Sequence, residues 1–283
     1  MTRPLIDYIY SQHIPWEGNR LGPARYDVAA KVLSEDQERG EFSAIVRYPP
    51  GWRRSEPEAL DAEEELFVLD GEIMINGRAY HRDCYACLPA GHVRETASSP
   101  GGCVALTFYD RQPVLAETLK GPMPGRTLVE IIDLYLVPWD TGWAPPSMAW
   151  MEPRRKVLRW NTEFDQVATV VFSKPPHIYP RDWSSPILSH PCAEESFVLA
   201  GELIGERGQQ RAGAYLWRPA GVPHATLGSR IGGMSLARMR HGKIVNDCDG
   251  NAIAPFSFDA PYDPHVPSFL MESAKDYVGA DRY

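Results

Sequence analysis

The stretch His190-Pro-Cys-Ala-Glu194 sets an imidazole four positions ahead of a carboxylate, and Gly201 closes the apolar run that follows. Further on, Gly213, five residues, Pro219-Ala-Gly221 and two more residues lead to His224. Two imidazoles and one carboxylate form the ligand set of the non-haem Fe(II) oxygenases, which leaves coordination positions open for O₂ and a substrate. Zinc, manganese or nickel would accept the same donors. His177, in the Pro-Pro-His that precedes this segment, could supply a fourth ligand or a substrate contact.

Such side chains act together only if the backbone aims them at one cavity. His190 ends one short apolar run, a three-residue turn follows, and Glu194 opens the next run. A strand alternates its side chains, so Glu194, Ser196 and Val198 share one face while Glu195, Phe197 and Leu199 share the other. Gly213 and Pro219-Ala-Gly221 permit a sharp corner after which His224 returns to the same interior. Tyr215 and Trp217, on the run leading to that corner, lie on one face and are candidates for shaping a pocket. Alternation alone does not say whether that face is the inner one.

The frame is written twice. Pro15-Trp16-Glu17-Gly18 returns as Pro138-Trp139-Asp140-Thr141, and Lys31-Val32-Leu33 as Lys156-Val157-Leu158. Glu64 answers Glu194, and Pro89-Ala90-Gly91 answers Pro219-Ala220-Gly221. This is an internal duplication over residues 1–120 and 121–245, with a tail, 246–283, that has no twin. Copy one keeps the carboxylate and lacks the imidazoles: Leu60 stands where His190 does, and Arg94 where His224 does. A guanidinium stays protonated and cannot ligate, so Arg94 beside Glu64 favours an ion pair over a metal. The first copy therefore reads as a degenerate site retained for its shape.

The two half-motifs of copy two resemble the cupin superfamily, whose small β-barrels hold a metal on inward-facing side chains. The sequence departs from that pattern at Leu188, where a further histidine usually stands. The segments PCAEESFVLAGEL and YLWRPAGVPHATLGSRIGG, with EEELFVLDGEI and PAGHVRETASSPGGC in copy one, are similar to the ChrR-like cupins. So are the Trp and Lys-Val-Leu ahead of each copy. That resemblance implies an all-β fold of two tandem jelly-roll barrels, a bicupin. It also implies one of two roles. Some ChrR-like cupins are dioxygenases that cleave carbon–carbon bonds of small hydroxy-ketones or diketones with Fe(II) on the His/Glu set. Others are zinc-binding halves of anti-sigma factors that follow a helical domain, and here the N-terminus runs directly into the first repeat.

The expectation is a metal-dependent bicupin enzyme, an Fe(II) dioxygenase acting on a small aromatic or keto/hydroxy substrate. A redox-neutral lyase, isomerase or cyclase, or a ligand-sensing cupin without turnover, is the alternative, since one fold hosts many chemistries. The net charge of −8 argues against nucleic acid or an anionic membrane surface as partner. No apolar run reaches the length of a membrane span, and the N-terminus lacks a signal-peptide core, so the cytoplasm is the expected compartment. Cys84 and Cys87 form an isolated CxxC within an apparent strand, where residues three apart face opposite sides. Two strand cysteines are the simpler reading. The aromatic tail is expected to pack on a barrel or across a homodimer interface.

Overall fold

A computed structural model of the chain describes residues 3–144, 146, 148–161, 166–177, 179, 183–280 and 283; the side chains at 150 and 248–251 are not described. The chain divides into two units. Unit 1 is essentially Ile14–Val137, and unit 2 joins Pro4–His13 to Pro138–Arg282. Each is an antiparallel jelly-roll β-barrel, so the all-β bicupin architecture is what the chain adopts.

In unit 1 the main sheet runs Val129–Asp133, Cys84–Leu88, Glu64–Ile75, Cys103–Tyr109, Phe42–Tyr48, Ala29–Glu35. Unit 2 repeats that order with Ile6–Tyr10, Ala214–Arg218, Ala193–Gly205, Gly233–Arg240, Val167–Lys174, Arg154–Asn161. The edge strands depart from a simple tandem. Ile6–Tyr10 lies at the start of repeat one in the sequence, yet it pairs with Ala214–Arg218 of unit 2. Val129–Asp133 lies near the start of repeat two and pairs with Cys84–Leu88 of unit 1. The division consequently falls at Val137/Pro138, later than the residue 120 expected from sequence, and the first strand is assigned away from its repeat. The tail is not a mere appendage either. Asp247–Pro255 pairs with Ser184–Ser189, which in turn pairs with His224–Ala225.

Several repeated residues have local physical causes. Gly201 has a φ of 69°, and a Cβ there would lie 2.1 Å from the Gly232 carbonyl oxygen; Gly71, its twin, has a φ of 71° and a gap of 2.2 Å to Gly102 O. No L side chain fits such a bend. The repeated Trp and Lys meet within each unit. The Lys31 amine sits 4.8 Å above the Trp16 ring, and the Lys156 amine 4.6 Å above Trp139. Burying the aromatic face against an ammonium is favourable, which ties the two short motifs to one contact. Cys84 and Cys87 are buried free thiols of one strand, and Cys84 belongs to the apolar core of unit 1. Among the described residues no helix is long and apolar enough to cross a membrane.

Candidate metal centre

In unit 2 the turn Pro191–Cys192 separates His190 from the long strand Ala193–Gly205, which Glu194 enters at its second position. His224 begins the short strand after the Pro219–Gly221 corner and lies across the ladder from Leu188. The fold brings His190, Glu194 and His224 together, with one donor atom of each within 4.8 Å of the others. His224 Nε2 lies 3.6 Å and His190 Nε2 4.0 Å from Glu194 Oε2. The opposite ring nitrogens face backbone carbonyls, His190 Nδ1 at 3.3 Å from Val245 O and His224 Nδ1 at 3.2 Å from Val222 O. A carbonyl oxygen can only accept. Both Nδ1 atoms therefore act as donors and both Nε2 atoms face the carboxylate, the orientation metal-ligating histidines adopt.

The electrostatics suit a cation. Burial pushes the His224 imidazolium down to about 4, against the opposing pull of Glu194, so the ring is neutral near pH 7. Burial pushes the Glu194 carboxyl up, but His224, Arg218 and His190 outweigh it and bring the group to about 2. An ionised carboxylate and a neutral imidazole, as at Glu194 and His224, are protonation states that suit a divalent metal. Two imidazole nitrogens and one carboxylate oxygen fit zinc, manganese, nickel or iron(II), and three protein donors leave room for a substrate.

The trio borders a cavity of about 480 Å³ within unit 2. Its wall is largely apolar, with Trp143, Trp160, Phe172, Leu188, Leu216 and Met239 prominent. Three cationic side chains also line it. Arg155 holds Asp140 at 2.9 Å and lies over Trp143 and Trp160; Lys174 is pulled down to about 8 by burial. The third, Arg218, faces Glu194 directly across the ladder and donates from Nη1 to its Oε2 at 3.0 Å.

Three sequence expectations change. Tyr215 and Trp217 are buried, but it is their neighbours Leu216 and Arg218 that line the cavity. The Tyr215 hydroxyl instead donates to Glu195 at 2.6 Å on the other face of the sheet, just as Tyr85 does to Glu65 at 2.7 Å in unit 1. His177 lies outside the trio and the cavity wall; its backbone N–H donates to Ser229 O and its ring neighbours Tyr179. Arg218, which contacts Glu194 and lines the cavity, is a residue that the sequence reading does not single out. The signal was available, since copy one carries Leu88 in its place, directly opposite Glu64.

In unit 1 the equivalent carboxylate is wholly engaged by the protein. Glu64 Oε2 accepts from Arg94 Nη2 at 2.5 Å and from Arg25 Nη2 at 3.2 Å, and Oε1 accepts from the Tyr109 hydroxyl at 2.6 Å. Arg25 also donates to Glu58 at 2.7 Å. Leu60, at the His190 position, is part of the apolar core. The Glu64 carboxyl, which burial alone would push up, is held low by Arg25 and Arg94.

Two tandem jelly rolls with a His/His/Glu cluster inside one of them give the chain a bicupin fold. The chain belongs to the family DUF4437, described as a domain of unknown function, whose model matches residues 11–239. Among solved structures it is similar to a candidate dioxygenase from Nostoc punctiforme, at 14% identity and a TM-score of 0.66, covering 90% of this chain and 87% of that one. It is also similar to protein YlbA from E. coli, at 14% identity and a TM-score of 0.56, covering 85% and 92%. A deletion mutant of Bacillus subtilis oxalate decarboxylase OxdC matches at 12% identity and a TM-score of 0.53, covering 86% and 79%. At these identities the likeness is one of fold. A comparison with curated proteins finds no match.

Proposed function

We propose that this chain is a metal-dependent oxygenase, a ChrR-like cupin dioxygenase that holds Fe(II) on His190, Glu194 and His224 and oxidises or cleaves a small keto/hydroxy or aromatic substrate. The observation that carries the reading is the convergence of two Nε2 atoms and one carboxylate oxygen on the wall of an apolar cavity, with both Nδ1 atoms tied back to carbonyls. Bound there, Fe(II) would supply a redox-active Lewis acid with positions open to substrate oxygens and O₂.

The chain's own residues do the rest. His190 and His224 would offer their Nε2 atoms, each ring oriented by the carbonyl its Nδ1 faces, and Glu194 would offer the single negative charge of the set. Trp143, Trp160, Phe172 and Leu188 give the cavity an apolar wall, and a less polar surrounding strengthens electrostatic contacts inside it. Arg155 and Lys174 bring positive charge to the same wall, where they can orient carbonyl, enolate or carboxylate oxygens of the substrate.

A competing reading, a cupin that binds a small molecule without turnover, is favoured by one observation. Arg218 already donates to the Glu194 oxygen nearest the two histidines. Metal analysis of protein purified without chelator, followed by anaerobic Fe(II) loading and an oxygen-electrode screen of diketones and hydroxy-ketones, separates the two. Substrate-dependent O₂ uptake that vanishes in His224→Ala supports the oxygenase. Tightly held zinc with no O₂ uptake after iron loading would sink it, and would leave redox-neutral chemistry or ligand sensing.

A further inference from the structure

The Glu194 carboxylate is not alone with its histidines. Arg218 spans two carboxylates, donating from Nη1 to Glu194 Oε2 at 3.0 Å and from Nη2 to Asp7 Oδ1 at 2.9 Å. All three side chains are withdrawn from solvent, with exposures of 6% for Arg218, 8% for Asp7 and 15% for Glu194. Asp7 comes from the N-terminal strand Ile6–Tyr10, and its position is fixed from both edges. It pairs with Leu216 on one side, and on the other exchanges two backbone hydrogen bonds of 2.7 Å with His265 of the tail. The Tyr262 hydroxyl donates to the next carbonyl, Tyr8 O, at 3.2 Å.

We propose that Asp7 is a positioning residue for the metal centre: by holding one arm of Arg218 it keeps the guanidinium from closing on Glu194, so that the carboxylate remains available to a divalent cation. The inference rests on the metal reading of His190, Glu194 and His224.

The physical case is a competition for one oxygen. A guanidinium presents a rigid fork of donors that matches a carboxylate two-pronged, and the pairing is strong where water is excluded. Asp7 divides that fork, so Glu194 receives a single N–H. Unit 1 shows the other limit. There Glu64, in the equivalent position, has on Oε2 both Arg94, whose described ion pair is with Glu64, and Arg25, which is shared with Glu58; with Tyr109 on Oε1, protein groups meet the carboxylate's charge. Neutralising Asp7 would move Arg218 toward that limit, because the full cationic charge would then have Glu194 as its remaining carboxylate among the described contacts. The N-terminal strand thus completes the site of a barrel whose ligands lie some two hundred positions away, a separation of 211 between Asp7 and Arg218.

The test uses the full chain as wild type, Asp7→Asn, Asp7→Glu, Arg218→Met and the Asp7→Asn/Arg218→Met double variant. Each is titrated with Co(II), read by its visible ligand-field absorption, and with Zn(II) by calorimetry, alongside circular dichroism and thermal unfolding. Outer-shell partners of metal ligands typically contribute 10–100-fold in affinity. Asp7→Asn should therefore weaken Co(II) and Zn(II) binding by roughly 10–100-fold and alter the Co(II) spectrum. Asp7→Glu, which keeps the charge, should stay within about threefold of wild type. In the Arg218→Met background, Asp7→Asn should change affinity by less than about threefold, since the competitor is gone. Equal affinity and spectrum in wild type and Asp7→Asn would overturn this inference alone. So would the same loss with and without Arg218. A wild-type chain that takes up neither Co(II) nor Zn(II) would overturn the metal reading and this inference with it.

Discussion

The degenerate barrel offers the sharpest test of the idea that protein cations have replaced a metal there. Consider Glu64→Gln. Glu64 is 1% exposed and accepts three hydrogen bonds, two from guanidinia and one from Tyr109. Glutamine keeps the shape but removes the charge and turns one acceptor into an NH₂ donor that faces other donors. Arg25 retains Glu58, while Arg94, itself 2% exposed, loses the carboxylate it holds at 2.5 Å. Removing one partner of a buried ion pair costs about 3–5 kcal/mol. At roughly 4 °C per kcal/mol for a unit of this size, the unit 1 transition should fall by about 10–20 °C. Scanning calorimetry and urea unfolding measure it. Two further results must accompany the loss. The Glu64→Gln/Arg94→Met double variant should be more stable than Glu64→Gln alone, because the orphaned cation is gone. Co(II) affinity at His190, Glu194 and His224 should be unchanged. A loss below about 1 kcal/mol, or a fall in metal affinity, would refute the reasoning.

Two other outcomes follow from unit 2. In chelator-treated protein His224 titrates near 4 when folded and near its ordinary 6.5 when unfolded, so the unfolded chain binds more protons between those values. Stability should then decline as pH falls from about 6.5 to 4, by about 3 kcal/mol from this group, and His224→Gln should flatten that part of the denaturant-midpoint curve; an unchanged slope would contradict the assignment. Leu188→His, two residues before His190 on the same cavity wall, should add a fourth donor and raise Zn(II) affinity at least about tenfold, read by competition with a chromophoric chelator; unaltered affinity would show that position 188 does not reach the centre.

What the sequence revealed and what it concealed divide along contact distance. His190 and Glu194 are four apart, and the glycine–proline corner before His224 is itself a local signal, so the trio could be read directly. The duplication exposed the pairing of Leu60 and Arg94 with Glu64 for the same reason. Tyr215 and Trp217 were left undecided because alternation defines two faces without saying which is inner. The register resolves it: Arg218 is opposite Glu194, so an inward Glu194 carries Arg218 and Leu216 inward and turns Tyr215 and Trp217 away. Asp7 left no such trace. Its proposed role depends on an edge strand that joins unit 2 instead of the repeat it opens, and no periodicity in residues 1–13 encodes that choice. The same choice by Val129–Asp133 moved the boundary of unit 1 to Val137.

The paired absence of histidines from copy one has a physical logic beyond simple decay. A carboxylate buried in a barrel must be matched by positive charge, whether a bound cation or a side chain. Once Arg94 lies 2.5 Å from Glu64, with Arg25 on the same oxygen and Tyr109 on the other, the charge is met by protein groups. A histidine at position 60 would then face a satisfied carboxylate, whereas leucine there joins the core. Restoring Leu60→His and Arg94→His would still leave Arg25 on Glu64. Unit 2 departs from that state in number, since a single guanidinium, shared with Asp7, reaches Glu194, and its interior is open as a cavity. What distinguishes the two barrels is therefore how many guanidinia hold the carboxylate, two on Glu64 and one on Glu194.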